Sequence, residues 1–113
     1  MRIQAVEAIK DKKVSFFLPT GEIDEKEFSN IEDKFKQMIK AGDYNIIIDL
    51  SRVSHINYKV VGWLIDYQKK FKELGGDIKL VNVSAYLYDI LRLYGFYPFE
   101  IYPSRRAALK SFA

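Results

Sequence analysis

The only histidine of the chain, His55, lies near two serines and an aspartate, the residue types of a nucleophilic hydrolase site. Such a site needs a serine hydroxyl that the histidine activates and an acid that orients the imidazole. Asp49, Ser51 and Ser54 are close in sequence, but neither serine stands in a recognisable nucleophile motif. The pattern therefore favours His55 as a solvated or turn-stabilising residue, and we expect a protein that is not an enzyme.

Asp49 ends a run of apolar residues and could be the phospho-acceptor of a response-regulator receiver. That site also needs a pair of acids at the end of the first strand to hold magnesium, and only Glu7 and the scattered Asp11 are available. A carboxylate that accepts hydrogen bonds from the amides of the following turn is the simpler interpretation. We therefore expect no metal site and no cofactor.

Composition excludes several other classes of function. The 113 residues include no cysteine, which rules out disulfides, thiolate catalysis and cysteine-ligated metals. The net charge is only +3, and acids are interleaved among the lysines, so no nucleic-acid surface is predicted. No apolar run has the length of a signal peptide core or a membrane span. We expect a cytoplasmic protein without a nucleic-acid or membrane partner.

Aromatic residues are concentrated near the carboxyl terminus, where they could form a stacking platform for bases. Few basic residues accompany them, so packing around the last helix and strand is the favoured interpretation. The group consists of Tyr86, Tyr88, Tyr94, Phe96, Tyr97, Phe99 and Tyr102.

The spacing of apolar residues predicts a hairpin followed by alternating helices and strands. Strands are predicted over Arg2–Ile9, Val14–Pro19, Tyr44–Leu50, Asp77–Asn82 and Phe99–Tyr102. The three isoleucines that precede Asp49 are typical of a strand buried on both faces. Helical spacing predicts two long helices. The apolar residues are Phe28, Ile31, Phe35 and Met38 or Ile39 in the first and Val60, Leu64, Tyr67, Phe71 and Leu74 in the second.

Capping residues mark where the predicted helices begin and end. Asp24, Ser84 and Ser104 are the predicted amino-terminal residues, and Ser51–Asn57 is predicted to be a polar turn before the second helix. Gly42, Gly75-Gly76 and Gly95 are the predicted stops. The fold class is α/β: one domain over residues 1–113, with a mostly parallel sheet of four to five strands, an amino-terminal hairpin and about four helices.

Four segments in this order carry a resemblance to a known family. Gly21–Asp24 is similar to a Gly-Glu-Leu/Ile-Asp motif after the second strand, and Ile47–Val53 to a hydrophobic-Asp-Leu-Ser-x-Val motif. Phe71–Val83 and Leu91–Leu109 are similar to the carboxyl-terminal half of the same family. The chain resembles the STAS (sulfate transporter and anti-sigma-factor antagonist) domain, and specifically its free-standing bacterial anti-sigma-factor antagonists.

One segment departs from the family pattern. In these antagonists the turn before the second helix reads approximately Ile-Asp-Ser-Ser/Thr-Gly-aliphatic-Gly, and a partner kinase phosphorylates the second hydroxyl residue. In the matching segment, Ile56–Gly62, Lys59 occupies the phospho-acceptor position, Asn57 replaces the acid and Val60 replaces the glycine. The resemblance therefore implies that the usual serine phosphorylation switch is lost at this position.

The resemblance implies a non-catalytic regulatory module of bacterial transcription that docks on an anti-sigma factor or a related kinase-like protein. The candidate partner-binding residues are Asp24, Asn57, Tyr58, Lys59 and Val61. Tyr58 and Val61 lie off the predicted buried stripe, where partner contact and packing explain them equally well. Lys59 either extends into water or meets an anionic group. An alternative function is a small-ligand sensor that binds a nucleotide or another anion, weakly, at the start of the second helix.

Overall fold

The computed structural model describes residues 3–93 and 99–113, and the described residues form seven strands and four helices. The strands are β1 (Ile3–Ile9), β2 (Lys12–Phe17), β3 (Gly21–Ile23), β4 (Asn45–Asp49), β5 (Val53–Ile56), β6 (Asp77–Val81) and β7 (Ile101–Tyr102). The helices are α1 (Glu25–Ala41), α2 (Tyr58–Glu73), α3 (Ala85–Arg92) and α4 (Arg105–Ser111). The predicted α/β class is confirmed.

The main sheet has the strand order β1-β2-β4-β6-β7. The strands β1 and β2 form the predicted antiparallel hairpin, joined by Lys10 and Asp11, whose positive φ angles of 47° and 68° suit a tight two-residue turn. All other pairs in this sheet are parallel. The mostly parallel five-stranded sheet with an amino-terminal hairpin is therefore confirmed.

The three isoleucines of β4 face both sides of the sheet, as their pattern predicts. Ile46 and Ile48 belong to the larger core, which contains the buried residues of α1, α2 and α3. Ile47 belongs to the smaller core on the other face, where Ala108 and Phe112 of the last helical segment cover the sheet. Burial on both faces removes this strand from water almost completely.

The first helix forms where its apolar spacing predicts. Phe28, Ile31 and Phe35 are buried as predicted, and of the two alternatives for the fourth position Met38 is the buried one. Gly42 ends the helix with a φ of 79°, a left-handed conformation that glycine adopts without steric cost, and its amide donates to the Ile39 and Met38 carbonyls.

The second helix buries a wider arc than its apolar spacing predicts. One row faces α1, since the Tyr67 hydroxyl reaches Glu32, and the adjacent row faces β6, since the buried Gln68 amide donates to Asp77. Val61 lies in the second row and is fully buried, which agrees with packing, one of the two interpretations that the sequence left open. A helix packed against a sheet and a second helix buries adjacent positions that a single stripe does not include. Leu74, predicted in the apolar stripe of this helix, lies beyond the helix end and is 37% exposed.

Two short strands were not predicted from the sequence. The segment Ser51–Asn57, predicted to be a polar turn, contains β5, and β3 precedes Asp24. They pair in parallel as a separate two-stranded sheet. β3 has three residues with one buried side chain, and β5 has four residues of which only the first and last are buried, so neither strand shows a recognisable alternation.

The carboxyl-terminal elements follow the prediction in part. Ser84 and Ser104 cap α3 and α4 as predicted, while β7 is shorter than Phe99–Tyr102. Phe99 is buried and Tyr102 is half-buried, in line with packing. Tyr86 and Tyr88 are exposed on α3, and the Tyr86 ring lies 5.7 Å from the His55 ring, so these two rings belong to the rim and not to the core. Predictions for Tyr94, Gly95, Phe96 and Tyr97 fall outside the described residues.

Candidate functional site

The small sheet of β3 and β5 brings the first turns of α1 and α2 side by side. Ile23 is opposite Ile56, and the Asn57 amide donates to the Ile23 carbonyl at 3.0 Å. Because α1 follows β3 and α2 follows β5, both helices begin at the same edge of this sheet. We name the resulting surface the paired helix start; it is formed by Asp24, Glu25, Asn57, Tyr58 and Lys59.

The two capping residues of this surface have side-chain hydrogen bonds to the helices that they begin. The Asp24 Oδ1 accepts from the Glu27 amide at 2.8 Å, and the Asn57 Oδ1 accepts from the Lys59 amide at 2.9 Å. Each bond satisfies an amide that has no partner within its helix. Asn57 thus caps α2 without the negative charge that an aspartate would add.

Lys59 faces an acid of the same chain across the paired helix start. Its Nζ lies 3.7 Å from the Glu25 Oε1, and the two side chains are 72% and 53% exposed. A pair this well solvated contributes little to stability. Glu25 is favourably placed at a positive helix terminus, whereas Lys59 is not. The lysine therefore extends towards water and remains accessible to an anionic group of a partner.

The structure brings four of the five predicted binding residues to one surface. Asp24, Asn57, Tyr58 and Lys59 all lie on the paired helix start, and Tyr58 is 53% exposed. Val61 is one turn further along α2 and belongs to the core beneath the surface. Its side chain is fully buried and supports the surface from beneath.

Two residues near this surface were missed by the sequence-based prediction. Glu25 directly follows the capping Asp24, and Trp63 lies one turn after Lys59 on α2. The Trp63 ring is 5.6 Å from the Phe28 ring and its side chain remains partly exposed. The sequence held one indication for each residue: Glu25 is next to a predicted cap, and Trp63 is four residues from Lys59 on the same helix.

The family follows from a match along most of the chain. The profile of the STAS domain matches residues 5–108. The chain belongs to the STAS domain family. No curated protein sequence matches it significantly.

Solved structures share the fold of this STAS domain. An anti-sigma factor antagonist from Mycobacterium paratuberculosis is 22% identical, with a TM-score of 0.74 and coverage of 95% of this chain and 90% of the other. A Thermotoga maritima protein described as an anti-sigma factor antagonist is 20% identical, with a TM-score of 0.80 and coverage of 95% and 92%. The antagonist SpoIIAA in its unphosphorylated form is 20% identical, with a TM-score of 0.69 and coverage of 96% of both chains.

Asp49 ties the last helix of this STAS domain to the main sheet. Its Oδ1 accepts from the Ser51 amide at 2.9 Å and from Asn82 Nδ2 at 3.1 Å, and its Oδ2 accepts from Arg105 Nε at 2.8 Å. The predicted bond between this strand-end carboxylate and a turn amide is therefore present. The contacts with Asn82 and Arg105 join positions that are far apart in sequence.

The surroundings of Asp49 keep its carboxyl ionised. Burial alone raises the pKa of the carboxyl, but the hydrogen bonds from the Ser51 amide, Asn82 and Arg105 outweigh burial and leave the pKa below its ordinary value. A buried carboxylate with this many donors serves as a structural anchor. We find no role for it at the paired helix start.

Replacing Asp49 with asparagine is expected to lower the free energy of unfolding at pH 7 by about 2 kcal/mol, because the charged bond with Arg105 is lost. The folded state lowers the pKa of this carboxyl, so its stabilisation is present above the unfolded pKa of about 3.9 and is lost as the pH falls through the folded pKa. Urea unfolding at pH 7 and at about pH 3 should show the difference between wild type and variant shrinking. An equal difference at both pH values would contradict this role; the exposed Asp89→Asn is the control.

His55 is half-buried in β5 and not in a turn. Its Nδ1 lies 2.7 Å from the Tyr86 hydroxyl oxygen. Among the described residues, no hydrogen bond connects His55 to Ser51 or Ser54, which are both exposed.

Residues 3–93 and 99–113 contain neither a cluster of metal-ligating side chains nor a membrane-spanning helix. No three histidine, cysteine, aspartate or glutamate side chains come together there as a metal site would need. None of the helices described is long and apolar enough to cross a membrane.

Proposed function

We propose that this chain is a single, non-catalytic STAS domain that binds an anti-sigma factor or a related kinase-like protein through the paired helix start. In this role it would act in the cytoplasm of a bacterium and regulate transcription by competing for that partner. The fold is shared with proteins described as anti-sigma factor antagonists, which supports the class of partner.

The observation that carries the proposal is the convergence of two helix starts on one surface. Asp24 and Asn57 are 33 positions apart, yet the pairing of β3 with β5 holds their helices side by side. The surface is therefore preorganised by backbone hydrogen bonds and does not have to be assembled on binding. The exposed Tyr58 adds an amphipathic ring of the kind that is enriched in protein interfaces.

The charge of Lys59 defines how this surface differs from a phosphorylated one. A phosphate at this helix start would add about two negative charges. Lys59 carries a permanent positive charge that only Glu25 faces within 4 Å among the described residues. A partner carboxylate could replace Glu25 as the counterion at little cost, because the existing pair is solvated. We infer an acidic group on the partner opposite Lys59.

Binding should therefore depend on the sign of the charge at position 59. We expect Lys59→Glu to weaken binding to the purified anti-sigma factors of the source organism at least about tenfold, measured by surface plasmon resonance. Lys110→Glu is the matched control, because Lys110 is an exposed lysine on α4, across the main sheet. Equal affinities for wild type and Lys59→Glu would remove this surface from the proposed interface.

Phosphorylation should not switch this surface. Ser51 and Ser54 are exposed but precede α2, in the turn after β4 and in β5. Tyr58 is on α2, one position before Lys59, and successive helix positions point about 100° apart. Incubation with ATP and the cognate kinase-like partner is expected to leave the intact mass unchanged. A phosphate-sized mass increase mapped to any of these three hydroxyls would overturn the absence of a switch.

The alternative function, a sensor that binds a nucleotide or another anion at the start of α2, stays a prediction. Lys59 already faces Glu25, so an anion there would meet a carboxylate as well as an ammonium group. No observation at this surface favours a small anion over a protein.

A further inference from the structure

A second feature lies at the opposite ends of the same two helices. Between α1 and α2 there is an open cleft of about 480 Å³, a size in the range of small-molecule sites. It is lined by Lys36, Ile39 and Lys40 from α1 and by Asp66, Tyr67 and Lys70 from α2. The cleft shares no residue with the paired helix start.

The floor of the cleft is apolar and held in place by the core. Ile39 packs against the larger core, and the Tyr67 ring lies 5.1 Å from the ring of Phe35. The Tyr67 hydroxyl donates to Glu32 Oε2 at 2.5 Å. Burial and the Glu32 carboxylate both raise the pKa of Tyr67, so the hydroxyl stays protonated and the bond persists. The ring is therefore a fixed surface on which an apolar group can lie.

The rim of the cleft is positively charged. Lys36 and Lys40 are four residues apart and so lie on the same side of α1, and Lys70 faces them from α2. Asp66 is the one acid of the lining, which leaves an excess of two positive charges. Among the described residues no ion pair within 4 Å involves any of these three lysines.

Helix geometry accounts for only part of this charge. Lys40 and Lys70 lie in the last turns of their helices, where a positive charge is favourable. Lys36 lies before the last turn, and its like-charged neighbour Lys40 at a four-residue spacing is unfavourable for the helix. The concentration of ammonium groups beside a fixed aromatic floor is thus not required by the fold.

We propose that this cleft binds a small organic anion, with a flat apolar body on Ile39 and Tyr67 and a carboxylate or phosphate among the three lysines. Charge complementarity selects an anion, and the apolar floor selects against a bare inorganic ion. The site would act independently of the paired helix start, since no residue is common to the two.

The probe for this site is 8-anilinonaphthalene-1-sulfonate, a flat apolar anion whose fluorescence rises on binding. We expect saturable binding to one site per chain, and we expect Lys36→Gln with Lys40→Gln to weaken it by about fivefold for each charge removed. Lys110→Gln, on the other face of the main sheet, should leave the affinity unchanged. Unsaturable binding, or an affinity that the double variant does not change, would overturn the proposal.

The position of the probe is checked separately by nuclear magnetic resonance. The amide signals of residues 36–40 and 66–70 should move on titration, whereas changes confined to other residues would overturn the site. 2-Naphthoate and adenosine monophosphate, which both have a flat ring system, then compete with the probe: displacement by the first supports a carboxylate ligand and by the second a phosphate ligand. Displacement by neither of them overturns the assigned ligand class.

The proposal for the cleft and the proposal for the docking surface can be tested separately. Lys59→Glu should leave probe binding unchanged, and the Lys36 and Lys40 double variant should leave anti-sigma factor binding unchanged. Loss of both activities in either variant would contradict the independence of the two sites.

Discussion

Replacing Gly76 with alanine is expected to lower the free energy of unfolding by about 3 kcal/mol, the upper part of the range for overpacked positions. A β-carbon at this position would lie 1.8 Å from the carbonyl oxygen of Tyr44 and 2.4 Å from its carbonyl carbon. Both atoms belong to the backbone, so no change of side-chain rotamer can relieve the clash. Urea unfolding at pH 7 measures the loss.

The clash falls where two parallel strands begin to pair. The Tyr44 carbonyl accepts from the Asp77 amide at 3.0 Å, immediately before β4 and beside the start of β6. A shift large enough to accommodate the methyl group must therefore lengthen this hydrogen bond. Gly76 is also tied to the end of α2, since its amide donates to the Phe71 carbonyl at 2.9 Å.

The neighbouring Gly75 provides a control, because it separates the two reasons for a glycine in this turn: lack of space for a β-carbon and a positive φ angle. Gly75 has a φ of 96°, but a β-carbon there would meet no atom within 4 Å. Gly75→Ala should therefore cost only the strain of a left-handed backbone, about 1 to 2 kcal/mol. If Gly75→Ala proves more destabilising than Gly76→Ala, the close approach to Tyr44 is not the main reason for glycine in this turn.

Replacing Phe35 with alanine is expected to lower the free energy of unfolding by about 4 kcal/mol, within the range for large buried aromatic residues. Phe35 is fully buried at the centre of an aromatic cluster. Its ring lies 5.5 Å from the ring of Phe17 on the main sheet, and 5.5 Å and 5.1 Å from those of Phe71 and Tyr67 on α2. The truncation would remove contacts that join α1 to both the sheet and α2.

A truncation at the surface is the control for the loss of stability expected from Phe35→Ala. Leu93→Ala removes apolar atoms from a side chain that is mostly exposed, so it should change the free energy of unfolding by no more than about 0.5 kcal/mol. Thermal and urea unfolding of both variants measure the difference. A loss below about 1 kcal/mol for Phe35→Ala would show that the cluster repacks and does not hold the two helices rigidly.

The loss of Phe35 should also affect the cleft between the helices. Tyr67 forms the cleft floor and rests against the Phe35 ring. If the variant remains folded, the probe of the cleft should bind more weakly, while its fold can be checked by circular dichroism. The paired helix start is held by β3 and β5, so it depends less on this ring.

Apolar periodicity and capping residues were sufficient to predict most elements of the fold. Phe28 and Phe35 are seven positions apart, which places them on one face of a helix whatever surrounds it. Asp24, Ser84 and Ser104 each accept a hydrogen bond from the amide three residues ahead, which depends only on local geometry. The consecutive isoleucines of β4 indicated a strand covered on both faces before any partner was known.

Tertiary contacts decided the features on which the predictions were wrong or incomplete. Val61 is buried because β6 and its neighbours cover a second row of α2, which a single helical stripe does not reveal. The strands β3 and β5 exist through their pairing with each other, since each is too short to show a pattern alone. Asp49 reaches Arg105 across 56 positions, a contact that local sequence does not encode.

The sequence by itself determined the STAS family, the order of most elements, the capping role of Asp24 near the proposed surface and the presence of a lysine at position 59. Only the tertiary structure decided that the two helix starts lie side by side, that Glu25 faces Lys59, and that a basic cleft opens at the other ends of the same helices. The physical reason is that periodicity and capping arise within a few residues, whereas these surfaces arise from parallel pairing between segments more than thirty positions apart.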